Sequence, residues 1–350
     1  MKNIIVCVQY GDNIHLKKDI KILNEKYTTK LITLRYKWLL FLKDSFYLFV
    51  YLLFHRKKII STFTRFADYQ AFVCGFFSKI FFIPFVLAVG GYDAIYIPIL
   101  YFGTYRKIKS RFATRWAYRF ANFILPVDDS LIRGVNSYSD DEPRREGFLE
   151  YYSGISGKII TVPNGFCSKY WDFETLNDRL NDFIAVVAFN DNMTYYKMKG
   201  IEYFVELARL LPEKKFKYAG GNKDEISKYE KKEMPQNLSI LGRLTHDQLR
   251  EEYRNSKVYV ILSLSEGMPN SLCESMLCGC VPVGSNINAI PNIIKDVGVL
   301  VYKRDISEMK DALTKALTLD TGNMARQKII DNFPLERRKN SLYEIFEKLK

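Results

Sequence analysis

Short apolar runs rich in β-branched residues recur along the chain, and helical stretches of about 10 to 20 residues separate them. In the first half, six runs predict strands at 3–9, 30–34, 58–62, 85–89, 122–127 and 158–162. In the second half, five runs predict strands at 183–189, 215–221, 238–242, 257–263 and 281–285. Parallel neighbours need a helical crossover, so this alternation predicts an α/β chain with doubly wound parallel sheets.

The length of the chain indicates two domains. Its 350 residues exceed the size at which a single core usually divides. The segment 171–182 lacks apolar periodicity and follows the turn at 163–165. We therefore predict an N-terminal domain at 1–170, a linker at 171–182 and a C-terminal domain at 183–333.

Two carboxylates eight residues apart, Glu266 and Glu274, frame the start of a predicted helix. An apolar run ends just before Glu266, and Gly279 supplies a helix stop before the next apolar run. In such a strand–loop–helix unit the loop lies at the carboxyl edge of the sheet, where ligands bind. A carboxylate accepts two hydrogen bonds, which suits a vicinal diol of a ribose or a sugar.

The predicted helix start can also bind an anion. Pro269, Asn270, Ser271 and Leu272 open the helix, whose first backbone N–H groups lack intrahelical partners. Asn270 is a possible cap. A phosphate fits this position, which makes these four residues candidates for binding a phosphorylated donor.

The Glu-x7-Glu spacing, the small-residue helix and the GCVPV segment resemble the retaining, nucleotide-sugar-dependent glycosyltransferases of family 4. The resemblance covers most of 184–302. It implies the GT-B fold, with two Rossmann-like domains facing a cleft and a C-terminal helix, 334–350, returning to the first domain. It also implies that Glu266 contacts the transferred sugar and that Glu274 holds the ribose of the nucleotide.

Lys199, in the sequence KMKG, matches the lysine that this family places at the donor phosphates. A leaving nucleoside diphosphate gains negative charge, which a fixed cation and helix ends stabilise without a metal. The family's second cation is missing from the segment 188–192, so Lys197 or Arg243 is expected to replace it, beside Leu244.

The first domain departs from the family at its predicted acceptor site. Gly90 stands where many family members have a histidine, and nearby Asp93 is our candidate for acceptor contact and catalysis, or else a turn residue. Gly11, after the first strand, can admit the pyrophosphate close to the backbone. The His residues of the chain, His15, His55 and His246, form no acid–base constellation.

The net positive charge of the chain comes from its N-terminal third. Residues 1–125 hold 20 Lys and Arg against 6 Asp and Glu, while the net charge of the whole chain is +13. Arg111, Arg115 and Arg119 lie at helical spacing among aromatics. A solvated helix face, an anionic membrane surface and nucleic acid are the alternatives, and without a recognisable nucleic-acid module we expect a membrane.

The apolar stretch 38–54 is interrupted at 43–45 and keeps only nine unbroken residues, short of the roughly 20 that span a bilayer. It predicts either a core helix or an interfacial one. The first residues continue directly into a strand pattern, so no signal peptide is expected. Six scattered or helix-associated cysteines indicate buried thiols in a reducing compartment, and we expect neither a metal nor another cofactor.

These features together predict a retaining glycosyltransferase that moves a sugar from a nucleoside diphosphate sugar to a glycan or lipid-linked acceptor. Envelope polysaccharide or glycolipid synthesis at the cytoplasmic face of a membrane is the expected setting. Two alternatives share the fold: a nucleotide-sugar 2-epimerase and a non-catalytic subunit that binds sugar nucleotides. The epimerase requires acid–base groups at the sugar, and a binding subunit has no need of the Glu pair and Lys199.

Overall fold

Two sets of strands and helices divide the chain into two units. A computed structural model describes residues 3–138, 143–172, 180–186, 192–230 and 232–350. Unit 1 comprises 1–134, 146–163 and 336–350, and unit 2 comprises 135–145 and 164–335. The predicted domain boundary at 170 stays a prediction, because most of the predicted linker, 173–179, lies outside the described residues.

Unit 1 contains a six-stranded sheet of the order β2-β1-β3-β4-β5-β8 with all neighbours parallel. Its strands are β1 (Ile4–Tyr10), β2 (Thr28–Leu34), β3 (Ile59–Arg65), β4 (Phe85–Val89), β5 (Phe123–Pro126) and β8 (Lys158–Ile159). Two short strands, β6 (Gly134–Asn136) and β7 (Arg144–Glu146), pair separately, and most of their residues belong to unit 2. The helices are α1 (Ile14–Leu23), α2 (Trp38–His55), α3 (Tyr69–Ile80), α4 (Ile108–Phe120), α5 (Phe148–Tyr151) and α14 (Leu335–Glu347).

Helices cover both faces of the unit 1 sheet. Successive residues of a strand point to opposite faces, and β3 shows where each face leads. The Phe63 ring contacts Phe346 of α14, with ring centroids 5.7 Å apart. The next side chain back, Thr62, hydrogen-bonds Ser78 of α3 at 2.7 Å. The C-terminal helix therefore packs on one face with α1, and α3 packs on the other.

A buried ion cluster fixes the C-terminal helix in unit 1. Asp19 of α1 accepts hydrogen bonds from Arg338 Nε at 2.7 Å and from Arg65 Nη1 at 3.0 Å. Arg338 also donates to the carbonyls of Val162 and Pro163. The two cations hold the pKa of the buried Asp19 carboxyl below its usual value, against the opposing effect of burial. The ion pairs of Asp19 with Arg65 and Arg338 thus connect α1, β3 and α14 within unit 1.

Unit 2 contains a second six-stranded parallel sheet, of the order β11-β10-β9-β12-β13-β14. Its strands are β9 (Leu180–Val186), β10 (Phe216–Ala219), β11 (Leu238–Gly242), β12 (Ser256–Ile261), β13 (Val281–Ser285) and β14 (Val299–Val301). Its helices are α6 (Met193–Met198), α7 (Ile201–Leu210), α8 (Lys223–Ser227), α9 (His246–Asn255), α10 (Asn270–Leu277), α11 (Ile290–Ile294), α12 (Ile306–Thr318) and α13 (Gly322–Asn332). The predicted class, two Rossmann-like parallel sheets with helices, is confirmed.

Candidate active site

The predicted site residues Lys199 and Glu266 meet at the carboxyl edge of the unit 2 sheet. Lys199 Nζ lies 2.5 Å from Glu266 Oε1, and their side chains are 18% and 13% exposed. Ser263 Oγ donates to the same carboxylate oxygen at 2.7 Å, and Asn288 Oδ1 accepts from the Glu266 backbone N–H at 3.0 Å. The carboxylate is therefore held in place while remaining reachable from solvent.

Gly200 explains why Lys199 reaches this position. Its φ of +66° lies in the left-handed region, and a Cβ at Gly200 would lie 2.3 Å from the carbonyl oxygen of Leu262. The backbone at the start of α7 can therefore approach the end of β12, where Leu264 N donates to Met198 O at 2.7 Å. Packing at the end of β12 thus requires a glycine directly after Lys199.

The start of α10 has the features of an anion site. Pro269 occupies the cap position, and no side chain of the described residues caps the helix. Asn270, the expected cap, instead accepts a hydrogen bond from Asn164 Nδ2 at 2.9 Å, and Ser271 Oγ is bound by the hydroxyl of Tyr259 at 2.6 Å. The first N–H groups of the helix, including those of Ser271 and Leu272, consequently have no side-chain acceptor and suit a phosphate.

Glu274 is buried one turn into α10, among tyrosines. Burial raises the pKa of Tyr253 well above its usual value, and the neighbouring Glu274 carboxylate adds to this effect. The helix that carries Glu274 is fixed at its far end, where Arg326 of α13 donates to the carbonyl of Leu277 and to that of Ser168, the latter at 2.9 Å. A rigid α10 therefore presents Glu274 and its own N-terminus together.

Residues 185–318, which contain this site, match the family model described as Glycosyl transferases group 1. This segment of the chain is therefore similar to the glycosyl transferases group 1. The chain is 22% identical over 173 residues to a phosphatidylinositol N-acetylglucosaminyltransferase subunit from Arabidopsis thaliana, a match covering 48% of this chain and 38% of that protein. It is 35% identical over 81 residues to the serotype-specific mannosyltransferase WbdA of Escherichia coli, covering 23% of this chain and 10% of that protein. The chain thus spans well under half the length of these relatives.

Solved structures match nearly the whole chain. Sucrose-phosphate synthase from Thermosynechococcus elongatus superposes with a TM-score of 0.73 at 12% identity, covering 99% of both chains. The Anabaena protein HepE in complex with UDP and glucose superposes with a TM-score of 0.69 at 12% identity, covering 99% of this chain and 100% of that one. These likenesses show the GT-B fold, which the resemblance of the Glu pair implied.

The two lysines of the KMKG sequence lie in different surroundings. Lys197 is exposed on α6, where its charge acts on Glu202, whose pKa burial raises. Arg304 lies beside it, donating to the Lys197 carbonyl at 2.9 Å. Arg243 and Leu244 follow β11, with Arg243 exposed and Leu244 half-buried. Only Lys199 of these residues is paired with Glu266, and the roles of the others at a donor stay predictions.

Several residues that hold the loop of Glu266 in place belong to no recognisable sequence motif. Asn136, from the segment between β5 and α5, is buried and its Nδ2 donates to the carbonyl of Leu264 at 3.0 Å. Asn288 has a φ of +43° and holds the Glu266 backbone. Neither lies near the Glu pair in sequence. The turn residue Asn164 is the exception, because its Asn-Gly dipeptide is visible in the sequence.

The carboxyl edge of the unit 1 sheet differs from the acceptor site that the sequence predicted there. Asp93 is buried, and its carboxylate accepts from the backbone N–H groups of Ala67, Gly90 and Gly91 at 2.8 to 3.1 Å. Burial raises the pKa of Asp93, and these hydrogen bonds oppose the shift. The carboxylate therefore ties two loops of the sheet edge together, and the geometry gives no support to its predicted contact with an acceptor.

Aromatic rings occupy the space beside both glycines of this edge. A Cβ at Gly90 would lie 2.2 Å from Cε1 of Phe66, a residue whose own φ is +69°. A Cβ at Gly11 would lie 2.3 Å from the hydroxyl of Tyr36. Phe66 thus fills the place of the missing histidine's side chain, and the close approach that Gly11 permits is made by Tyr36.

The arrangement of acidic, histidine and cysteine side chains bears on whether the chain binds a metal. Among the described residues, no cluster of three or more His, Cys, Asp and Glu side chains is arranged to hold a metal ion. The acidic pair at 140–141 lies outside the described residues. All cysteines except Cys167 are buried, as expected of structural thiols. Metal independence stays a prediction.

Proposed function

We propose that this chain is a retaining glycosyltransferase that moves a sugar from a nucleoside diphosphate sugar to a glycan or lipid-linked acceptor. The observation that carries the proposal is the Lys199–Glu266 pair beside the uncapped start of α10. A cation, a carboxylate and free backbone N–H groups there match the phosphate and the sugar of one donor.

Lys199 and the α10 N-terminus are assigned to the diphosphate. Without a ligand the Lys199 charge is paired with Glu266, so a bound diphosphate competes for the ammonium group and frees the carboxylate. Glu266 then accepts hydrogen bonds from hydroxyls of the transferred sugar, while Ser263 limits its movement. Glu274, one turn into the helix, is assigned to the ribose diol.

The chemical step follows from where positive charge is available. As the bond between the sugar and the diphosphate breaks, negative charge grows on the leaving oxygen, and Lys199 with the helix N–H groups stabilises it. The acceptor hydroxyl attacks from the face that the leaving group vacates, which retains the anomeric configuration. Its proton passes to the leaving phosphate, so no protein base is assigned and no metal is required.

The relatives support sugar transfer as the reaction class. The matching plant and bacterial proteins are named as an N-acetylglucosaminyltransferase and a mannosyltransferase, and HepE was solved with UDP and glucose. We extend a nucleotide-sugar donor to this chain on that basis together with the site. The setting we propose is glycan or glycolipid assembly at the cytoplasmic face of a membrane.

Thermal-shift screening of nucleoside diphosphate sugars identifies the donor, and turnover with that donor tests the proposal. We expect release of the free nucleoside diphosphate and a product with the donor's anomeric configuration in NMR. Release of a free 2-epimer without an acceptor product would favour the epimerase. Donor binding without any turnover, with a range of glycan and lipid acceptors, would favour a binding subunit.

A further inference from the structure

Helix α2 exposes its more apolar face. It buries only Ser45, Leu48 and Leu52. Large apolar side chains point to solvent instead, with Leu39 78%, Phe46 67% and Phe54 77% exposed. We call this set the α2 outer face, which consists of Trp38, Leu39, Leu42, Phe46, Leu53 and Phe54. A solvated helix normally shows the opposite pattern, with its apolar stripe towards the core.

The apolar surface continues onto the neighbouring helices. Phe49 of α2 contacts Phe77 of α3, with ring centroids 5.3 Å apart, and Phe76 of α3 contacts Phe120 of α4 at 6.1 Å. Beside these contacts, α3 and α4 expose Phe76, Ile80, Ile108 and Phe112. Phe82, just after α3, is 91% exposed. A contiguous exposed apolar surface of this kind indicates a binding surface.

Positive charge borders the α2 outer face. Exposed basic side chains stand at both ends of the helix and within it, at Lys37, Lys43, Arg56, Lys57 and Lys58. The single acid of the helix, Asp44, is bound by Arg35 through Nε at 2.9 Å and Nη2 at 2.7 Å. Its charge is therefore balanced, and the border of the apolar surface is basic.

Helix α2 is the one helix among the described residues that is long and apolar enough to cross a membrane. Its packing argues against crossing. Its buried side chains and the Phe49–Phe77 contact attach it to the rest of unit 1. The Lys30 ammonium of β2 also makes cation–π contacts with Tyr47 and Tyr51, at 5.8 and 5.6 Å from their ring centroids. Only the outer face is available to lipid.

We propose that the α2 outer face inserts into the interfacial region of an anionic bilayer, with α2 lying parallel to the surface. Apolar side chains with a basic border match acyl chains beneath anionic headgroups. A second copy of this chain fits less well, because a twofold dimer through this face would bring the same basic border against itself. The proposal concerns unit 1 alone and does not depend on the donor site of unit 2.

Insertion through α2 differs from adsorption through the α4 arginines, which the sequence suggested. Arg111 stacks over Tyr105, with its guanidinium carbon 4.1 Å from the ring centroid, and Arg119 lies 5.2 Å from the centroid of Trp116. Both also donate to backbone carbonyls of unit 1. Two of the three arginines are thus held by the protein, and they assist binding without carrying it.

The test is sedimentation of the full chain with vesicles of phosphatidylglycerol and phosphatidylcholine in equal parts. The variant Phe46→Glu/Leu53→Glu changes two exposed positions, and Met324→Glu, at an exposed apolar position of α13, is the matched control. We expect the double variant to bind at least about tenfold more weakly, equivalent to about 1.4 kcal/mol, and the control to bind as the wild type does. Unfolding midpoints show that both variants remain folded.

Trp38 fluorescence reports insertion separately from adsorption. We expect vesicles to shift the emission of the wild type to the blue, and the shift to be lost in Trp38→Phe and to persist partly in high salt. Binding that high salt abolishes, without a Trp38 shift, would overturn insertion in favour of adsorption. A dimer in ultracentrifugation that the double variant disrupts, with no vesicle binding, would assign the face to a second copy. Donor binding measured on the same samples keeps a failure of the transferase proposal distinguishable.

Discussion

The carboxyl edges of the two sheets share one topology and differ in what occupies them. In unit 2, a partly exposed ion pair includes Glu266, four residues before the start of α10, which no side chain of the described residues caps. In unit 1, the Asp93 carboxylate is consumed by backbone N–H groups, and rings cover Gly11 and Gly90. Partly exposed charges suit a polar ligand, whereas fully buried charges with all their hydrogen bonds made stabilise a fold.

The same contrast separates structural from chemical ion pairs. Asp19, Arg65 and Arg338 form a buried cluster in which the Asp19 carboxylate is bound on both sides. The Lys199–Glu266 pair is more exposed, and in our proposal it opens when a diphosphate binds. Removing a charge should therefore lower stability in unit 1 and lower function in unit 2.

The largest effect is expected from Arg338→Ala, because it leaves Asp19 buried with one cation and frees two carbonyls. Breaking a buried pair costs about 3 to 5 kcal/mol, which urea unfolding measures. Arg337→Ala, one residue away and exposed, is the control and should change stability little. Equal losses in both variants would contradict a structural role for the cluster.

Glu266→Gln should reduce turnover about 100-fold or more, since a neutral amide stabilises the developing charge on the sugar less well. The unfolding midpoint should stay near that of the wild type. Glu213→Gln, at an exposed turn before β10, is the matched control and should keep full turnover. Unchanged turnover in Glu266→Gln would remove this residue from the chemistry.

Gly90→Ala should destabilise the fold by about 1 to 3 kcal/mol, because the new Cβ meets the Phe66 ring. The cost should disappear in a Phe66→Ala background, where the ring is absent. A double-mutant cycle on the free energy of unfolding measures this coupling. The same cost in both backgrounds would show that Phe66 does not determine the residue at 90.

His15 should give a smaller, pH-dependent effect. Burial, with Arg65 nearby, lowers its pKa to about 3, below the unfolded value of about 6.5. The neutral imidazole therefore contributes stability above about pH 6.5, and this contribution is lost as the pH falls towards 3, by at most about 1.4 kcal/mol per pH unit.

The comparison of wild type with His15→Gln isolates this term. It is needed because Asp68, whose pKa burial raises to about 6, contributes the opposite slope. NMR of the imidazole protons should show that His15 stays neutral between about pH 8 and 5. A midpoint near 6.5 for His15 would contradict the burial argument.

The strands and the site of unit 2 could be predicted because their signals are local. Apolar runs mark the buried parallel strands. Glu266, Pro269 and Glu274 stand in one short segment that runs from the end of β12 into α10, and Gly200 directly follows Lys199. Asn288 and Asn136 could not be found, since only the folded chain brings them to the Glu266 loop. In unit 1, neither the burial of Asp93 nor the Phe66 ring over Gly90 has a local signature. The exposure of α2 could not be predicted from the sequence either, because its apolar run fits a core helix equally well.

The central claim is that the carboxyl edge of unit 2 binds the nucleoside diphosphate through Lys199 and α10 and the ribose through Glu274. Calorimetric titration with UDP and GDP, and with uridine and guanosine, tests it most directly in the wild type, Lys199→Ala and Glu274→Ala. We predict that Lys199→Ala weakens the diphosphates at least about tenfold and spares the nucleosides. Glu274→Ala should weaken both by about tenfold to several hundredfold, since each lost charge-assisted bond contributes roughly 1.5 to 3 kcal/mol. Unchanged binding in Glu274→Ala, or equal weakening of both ligand classes in Lys199→Ala, would contradict the assignment.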